Sequence, residues 1–177
     1  MKRKSVWALV VFIILVALVI MPGLADARTS RVEFTGTETV DALLADGDWT
    51  FPDGNVHVRG RVTRYLEVTT DPRKSGLNTV VMNANWGPDF AGPMWGTSES
   101  VVWDSPGCPG GGIWRSTWAG MLNPDGSYTY SAVGRGVSGC VAGLHSSLTA
   151  YSPGTGATTV SGEILDPWGE SIRLKAK

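Results

Sequence analysis

Val56-His57-Val58-Arg59-Gly60-Arg61-Val62-Thr63-Arg64-Tyr65-Leu66-Glu67-Val68-Thr69-Thr70 is the stretch from which the fold of this chain is read. Val56, Val58, Val62, Leu66 and Val68 share one parity; His57, Arg59, Arg61, Thr63, Tyr65, Glu67 and Thr69 share the other. Successive side chains of a strand point to opposite faces, so this alternation describes a strand with one apolar face and one wet face. Gly60 interrupts the apolar parity and Arg64 breaks it, and Gly60 marks a bend or bulge in so long a strand. The expectation is that the five apolar residues enter a core shared with Leu144, Leu148, Trp114 and Trp118. His57, Arg59, Arg61 and Glu67 are expected to face water.

Outward from this segment the period stays at two. Further strands are read at 31–40, 77–86, 95–104, 112–122, 127–137, 140–151, 158–165 and 170–176. Turn chemistry separates them: Asp53-Gly54, Asp71-Pro72, Pro88 and Pro93, Pro106-Gly107, Asn123-Pro124-Asp125-Gly126, Pro153-Gly154 and Asp166-Pro167. Residues 39–45 are the one helical candidate, and a short one. Eight or nine strands at this spacing predict an all-β sandwich or barrel. Gly112, Gly120, Gly134, Gly136, Gly139, Gly143 and Gly162 lie in or beside strands, where the tight bends of a small barrel use them. The predicted fold is a single antiparallel β-barrel of about eight strands.

The start of the chain has a different character. Lys2, Arg3 and Lys4 precede an unbroken apolar run at 6–21, then Pro22-Gly23 and Ala25-Asp26-Ala27. This is the pattern of a signal peptide cleaved after residue 27, leaving a domain at 28–177 that is secreted or held in the cell envelope. The competing reading is an uncleaved anchor, in which case that segment is the chain's contact with a membrane. Its 16 apolar residues fall short of the ~20 that span a bilayer. Removing residues 1–27 from a chain with 15 Lys+Arg and 16 Asp+Glu leaves a formal charge near −3. No basic stripe remains for nucleic acid. Cys108 and Cys140, an even pair in an exported chain, are expected to form one structural disulfide. That bond would pin the Pro106-Gly107-Cys108-Pro109-Gly110 loop onto the sheet.

Gly92-Pro93-Met94-Trp95-Gly96-Thr97, Gly112-Ile113-Trp114 to Gly120, Gly134-Arg135-Gly136-Val137-Ser138-Gly139, Ala142-Gly143-Leu144 and Gly162-Glu163-Ile164 follow one another in an order that resembles a known group. It is that of small exported bacterial proteins of unassigned function in the allene oxide cyclase-like (dirigent-like) β-barrel group. The resemblance covers about half of the mature chain and is made of glycine and aromatic spacing. It implies an eight-stranded antiparallel barrel. The polar cluster on which plant allene oxide cyclases rely has no counterpart placed in this chain, so no catalytic residue is carried over. The cysteine pair is an addition to the group's pattern.

Other motifs carry less. Gly134-Arg135-Gly136-Val137-Ser138-Gly139 matches a dinucleotide fingerprint in letters, but a β segment follows where a helix is required. His57 and His145 stand far apart without ligands at metal spacing, and neither joins a Gly-x-Ser-x-Gly elbow. Asp46, Asp48 and Asp53 around Trp49 lack the alternation of a calcium loop and read as a solvated turn. No metal, cofactor or catalytic residue is assigned. Trp86, Phe90 and Trp95 bracket a loop-rich aromatic segment that either plugs a barrel end or lines a mouth for a small apolar or amphipathic ligand. Three functions stay open: a non-enzymatic ligand binder, a cyclase or isomerase with a lumen cavity, and a structural envelope protein. Inward-facing polar residues would favour chemistry, and Arg64 and Glu163 are the first to check. The export reading has a direct consequence: the intact mass of the exported protein should correspond to a chain beginning at Arg28, whereas full-length chain in membranes would show an anchor.

Overall fold

A computed structural model describes residues 29–167 and Gly169. The signal peptide expected at 1–27 and the strand expected at 170–176 lie outside the described residues. Nine strands follow one another: β1 (Ser30–Ala45), β2 (Asp48–Thr50), β3 (Val56–Thr69), β4 (Gly76–Trp86), β5 (Gly92–Val102), β6 (Gly112–Leu122), β7 (Tyr128–Gly139), β8 (His145–Ser152) and β9 (Thr158–Asp166). All neighbouring pairs are antiparallel. β1 closes the sheet by pairing with β9 through Ser30–Glu38 and with β3 through Gly36–Ala45. The result is an eight-stranded antiparallel barrel of β1 and β3–β9. Closure removes the exposed edges that an open sheet would carry. After a break at Asp46-Gly47, where Gly47 has φ of 78°, β2 continues along the same edge of β3.

The sequence-read strands are found with small shifts. The short helix expected at 39–45 is instead the far end of β1, held extended by pairing with β3. Residues 140–144 form a turn, so β8 starts at His145 rather than Cys140. The acidic segment around Trp49 supplies β2.

The larger correction concerns β3. Val56 and Val58 are buried in the lumen wall as expected, but Val62, Leu66 and Val68 face outward, and Val68 is 48% exposed. Arg61, Thr63, Tyr65 and Glu67 line the lumen in their place, and Glu67 is only 1% exposed. The cause is a bulge. Ladder pairing with β4 shifts between Val58 and Arg61, and Gly60 between them has φ of 67°, a left-handed conformation that glycine adopts without a Cβ penalty. One inserted residue reverses which parity faces inward. Side chains satisfy the broken ladder. Arg59 Nη1 donates to the carbonyls of Val58 and Ala84, both at 2.7 Å, and Asn83 Oδ1 accepts from the Gly60 N–H at 3.1 Å. Arg59 itself stays outside, over the Trp95 ring.

Two apolar clusters lie toward the two ends of the lumen. Phe34, Val102, Cys108, Trp114, Val141, Leu144 and Ile164 form one, with Leu148 packed against it. Val56, Val58, Ala84, Trp86 and Met94 form the other, with Trp49, Met82, Trp118, Leu122 and Tyr128 at its margin. The first end is closed. Cys108 and Cys140 are bonded, with Cα atoms 5.3 Å apart, which ties the 103–111 loop to the neighbouring 140–144 turn. Gly136 lets that turn fold inward: a Cβ there would lie 1.8 Å from the Val141 carbonyl oxygen. Trp114 beneath the plug donates its indole N–H to the Arg73 carbonyl at 2.7 Å. The outer face carries the ion pairs Arg31–Glu163, Arg64–Asp41 and Arg115–Glu99.

The disulfide spans 32 residues, and a loop of that length contributes about 3–4 kcal/mol in the chain-entropy account. The Cys108→Ser, Cys140→Ser double variant should lose stability of that order in denaturant unfolding. Amide exchange should rise first in the 103–111 loop. Free thiols titrating in the native protein would contradict the bond.

Candidate functional site: the barrel lumen

Between the two apolar clusters lies a cavity of about 370 Å³. It exists because inward positions facing the large rings are small: Ser98, Ser100, Ser116 and Ala132 line it. The cavity reaches Val40, Leu43, Gly154 and Gly156, which are exposed, so it opens at the end opposite the disulfide. Its wall changes character with depth. Val40, Leu43, Met82, Trp86, Met94 and Leu122 make an apolar mouth half, while Glu38, Glu67, Lys74, Asn78, Tyr65 and Tyr130 make a polar floor.

The floor is a connected network. Glu38, on β1, accepts from Asn78 Nδ2 of β4 at 3.1 Å and from the Tyr130 hydroxyl of β7 in a very short bond across the lumen. Asn78 Oδ1 in turn accepts from Ser100 Oγ at 3.0 Å. Glu67 lies directly opposite Glu38 on the paired strand. Its partner is Lys74, whose Nζ is 3.8 Å from Glu67 Oε1 and sits over the rings of Trp114 and Phe34. At that distance the contact is an ion pair without a hydrogen bond, and Oε1 has no hydrogen-bond donor. Lys74 reaches this buried place from the 3-10 turn Pro72–Lys74, whose start is capped by Asp71 accepting from the Arg73 N–H.

Burial sets the electrostatics. Desolvation drives the Glu67 carboxyl up to about 7; the Lys74 ammonium opposes this and the Glu38 charge adds to it. The Tyr65 hydroxyl is pushed up to about 12, first by burial and then by Tyr128 and Glu38. Tyr130 is raised further, again by burial first and Glu38 second. Both tyrosines are therefore hydrogen-bond donors throughout the physiological range.

The sequence-read residues fall in different places. Trp86 is on the cavity wall. Trp95 is on the outer face of β5, stacked under Arg59, and Phe90 sits exposed in the 87–91 turn with φ of 59°. The structure does not bring the three together. Arg64 and Glu163 also point outward, paired with Asp41 and Arg31. Gly134 to Gly139 lie along β7, with no helix after them. Among the described residues no three His, Cys, Asp or Glu side chains converge on one point. What the sequence reading missed is the floor. Glu38 could have been found, because it shares the parity of Val32, Phe34 and Val40 and so interrupts an apolar face with a carboxylate. Glu67 gave no such signal, since only the bulge turns it inward.

No protein-family model matches the chain, no curated protein is similar to it, and no solved structure matches it. The likeness to the allene oxide cyclase-like group is carried by glycine and aromatic spacing alone.

The raised Glu67 carboxyl makes stability depend on pH with a defined sign. The native state keeps this proton up to about 7, whereas the unfolded chain loses it near 4.5. Over that window the native state binds more protons, so this group's contribution is complete below 4.5 and is lost as pH rises through 7. Urea unfolding across that range should show the decline, and Glu67→Gln should flatten it. An unchanged slope in the variant would mean that Glu67 titrates normally.

Proposed function

We propose that the protein is an exported barrel that binds a small amphipathic ligand in its lumen, without catalysis, with the apolar body toward the mouth and the polar head at the floor. One observation carries this reading: a 370 Å³ cavity, open at one end, whose wall passes from apolar at the mouth to hydrogen-bonded and polar at depth. The size lies within the ~300–1,000 Å³ of ordinary small-molecule sites. Export supports it through the leader sequence, and the disulfide is of the kind that persists outside the cytoplasm. Membership of the allene oxide cyclase-like group is part of the same proposal, supported by the eight-stranded topology.

A second reading is an isomerase or cyclase. A buried carboxyl that titrates near 7 beside a tyrosine hydroxyl is the arrangement general acid–base chemistry uses. Against it, both Glu38 oxygens are already occupied by protein donors, and Glu67 Oε1 faces Lys74.

An environment-sensitive apolar dye should bind with one-to-one stoichiometry and quench tryptophan fluorescence through Trp86 and Trp118. Ala132→Phe, which fills the lumen from β7, should weaken the dye at least about tenfold while the variant keeps its cooperative unfolding. Absence of dye binding by the native protein would remove the ligand-binding reading and leave a structural envelope protein.

A further inference from the structure

With both carboxyls ionised, the charges buried at the lumen floor do not balance. Glu38 and Glu67 face each other as a direct cross-strand pair, both at most 5% exposed, and like charges so placed repel. Lys74 is the one buried cation among the described residues, and it lies against Glu67. Glu38 has only neutral donors, Asn78 and Tyr130. Glu67 is a wall residue of the cavity, and its Oε1, without a hydrogen bond, is the oxygen that faces Lys74. Arg61, the other cation on the wall, is drawn toward the mouth, its guanidinium over the Trp49 ring at 5.8 Å.

The same space is walled by rings. Tyr65, Tyr130 and Trp118 line it, with Tyr130 edge-on to Trp118 at 5.8 Å. Aromatic rings beside carboxylates in a partly enclosed pocket attract an organic cation. An anionic head would add a third negative charge to this floor, and a neutral head would leave the imbalance as it stands.

We infer that the lumen takes an amphipathic organic cation, its ammonium head against Glu67 and Glu38 and its apolar body among Met82, Met94 and Leu122. This rests on the ligand-binding reading and names the ligand's chemical class. In the free protein the missing positive charge is a proton on Glu67, which burial and the neighbouring Glu38 hold up to about 7 against Lys74. Arrival of the ammonium makes the ionised carboxylate favourable, so that proton leaves Glu67 for solvent as the head is bound. No bond is made or broken besides this O–H. The groups that face Glu67 and shape the exchange are Lys74 from the 3-10 turn, Glu38 from β1 and Tyr130 from β7.

Calorimetry on the disulfide-bonded protein tests this with n-octylammonium, n-octanol and n-octanoate, which share a chain and differ in the head. Octylammonium, which like a lysine stays charged below a pKa of about 10.4, should bind at least about tenfold tighter than octanol, with octanoate weakest. Its affinity should rise as pH increases through about 7 and then level off. On the acid side of that point the heat should depend on the buffer's ionisation enthalpy, reporting a released proton, and on the alkaline side it should not. Glu67→Gln should abolish the proton release and most of the preference over octanol while still binding the apolar dye; Glu38→Gln should lower the preference as well. If octanol or octanoate binds as well as octylammonium, or if dye binds and none of the three does, the cation assignment fails and the cavity reading stands. If neither the dye nor any of the three binds, both fail.

Discussion

The bulge at Gly60 decides what the lumen contains. Before it, β3 sends Val56 and Val58 inward; after it, the same strand sends Arg61, Thr63, Tyr65 and Glu67. A straight β3 would have placed Val62, Leu66 and Val68 against the far wall and filled the barrel with aliphatic side chains. The inward turn of Tyr65 and Glu67 and the ion pair of Glu67 with Lys74 follow from one residue that carries no side chain. The cost is a broken ladder at Val58–Arg61. Arg59 and Asn83 offset it by supplying hydrogen bonds to the backbone groups that the ladder leaves open.

With that parity set, the barrel divides along its axis into layers of different physics. The disulfide end is a dry plug, where Cys108, Trp114, Val141 and Leu144 are fully buried. The middle is a polar belt in which Glu38 bridges three strands through Asn78 and Tyr130. The open end is apolar again. A buried carboxylate is tolerated only where its hydrogen bonds are met, and Glu38 meets this condition with donors from opposite sides of the barrel. That cross-lumen link also fixes the spacing of β1 and β7, which share no ladder.

Strand positions were legible in the sequence because period-two alternation and turn residues report local geometry directly. β4, β6 and β9 lie within a residue of their expected bounds. The disulfide was legible from an even cysteine number and the expectation of export. Facing was legible only while the period held. In β1 the glutamate on the parity of Phe34 was visible as an oddity and went unread. In β3 the inward set could not be derived without knowing that Gly60 adds a residue rather than merely bending the strand, since both uses of glycine look alike in one sequence. The aromatic loop is divided between faces for a related reason. Trp86 and Trp95 flank one hairpin, yet residues nine apart across a turn can lie on opposite faces, and these do.

The plug at the disulfide end has a consequence for traffic through the molecule. Because Trp114, Val141 and the bonded cysteines seal that end, the barrel is a blind vessel and not a conduit. Whatever enters must leave by the way it came, passing the same ring of Val40, Leu43 and Leu122 in reverse. Residence time in such a vessel is governed by the rim and by the depth of the anchoring contacts, while arrival is governed by the rim alone. A dead end of this kind makes entry and exit answer to the same few rim residues.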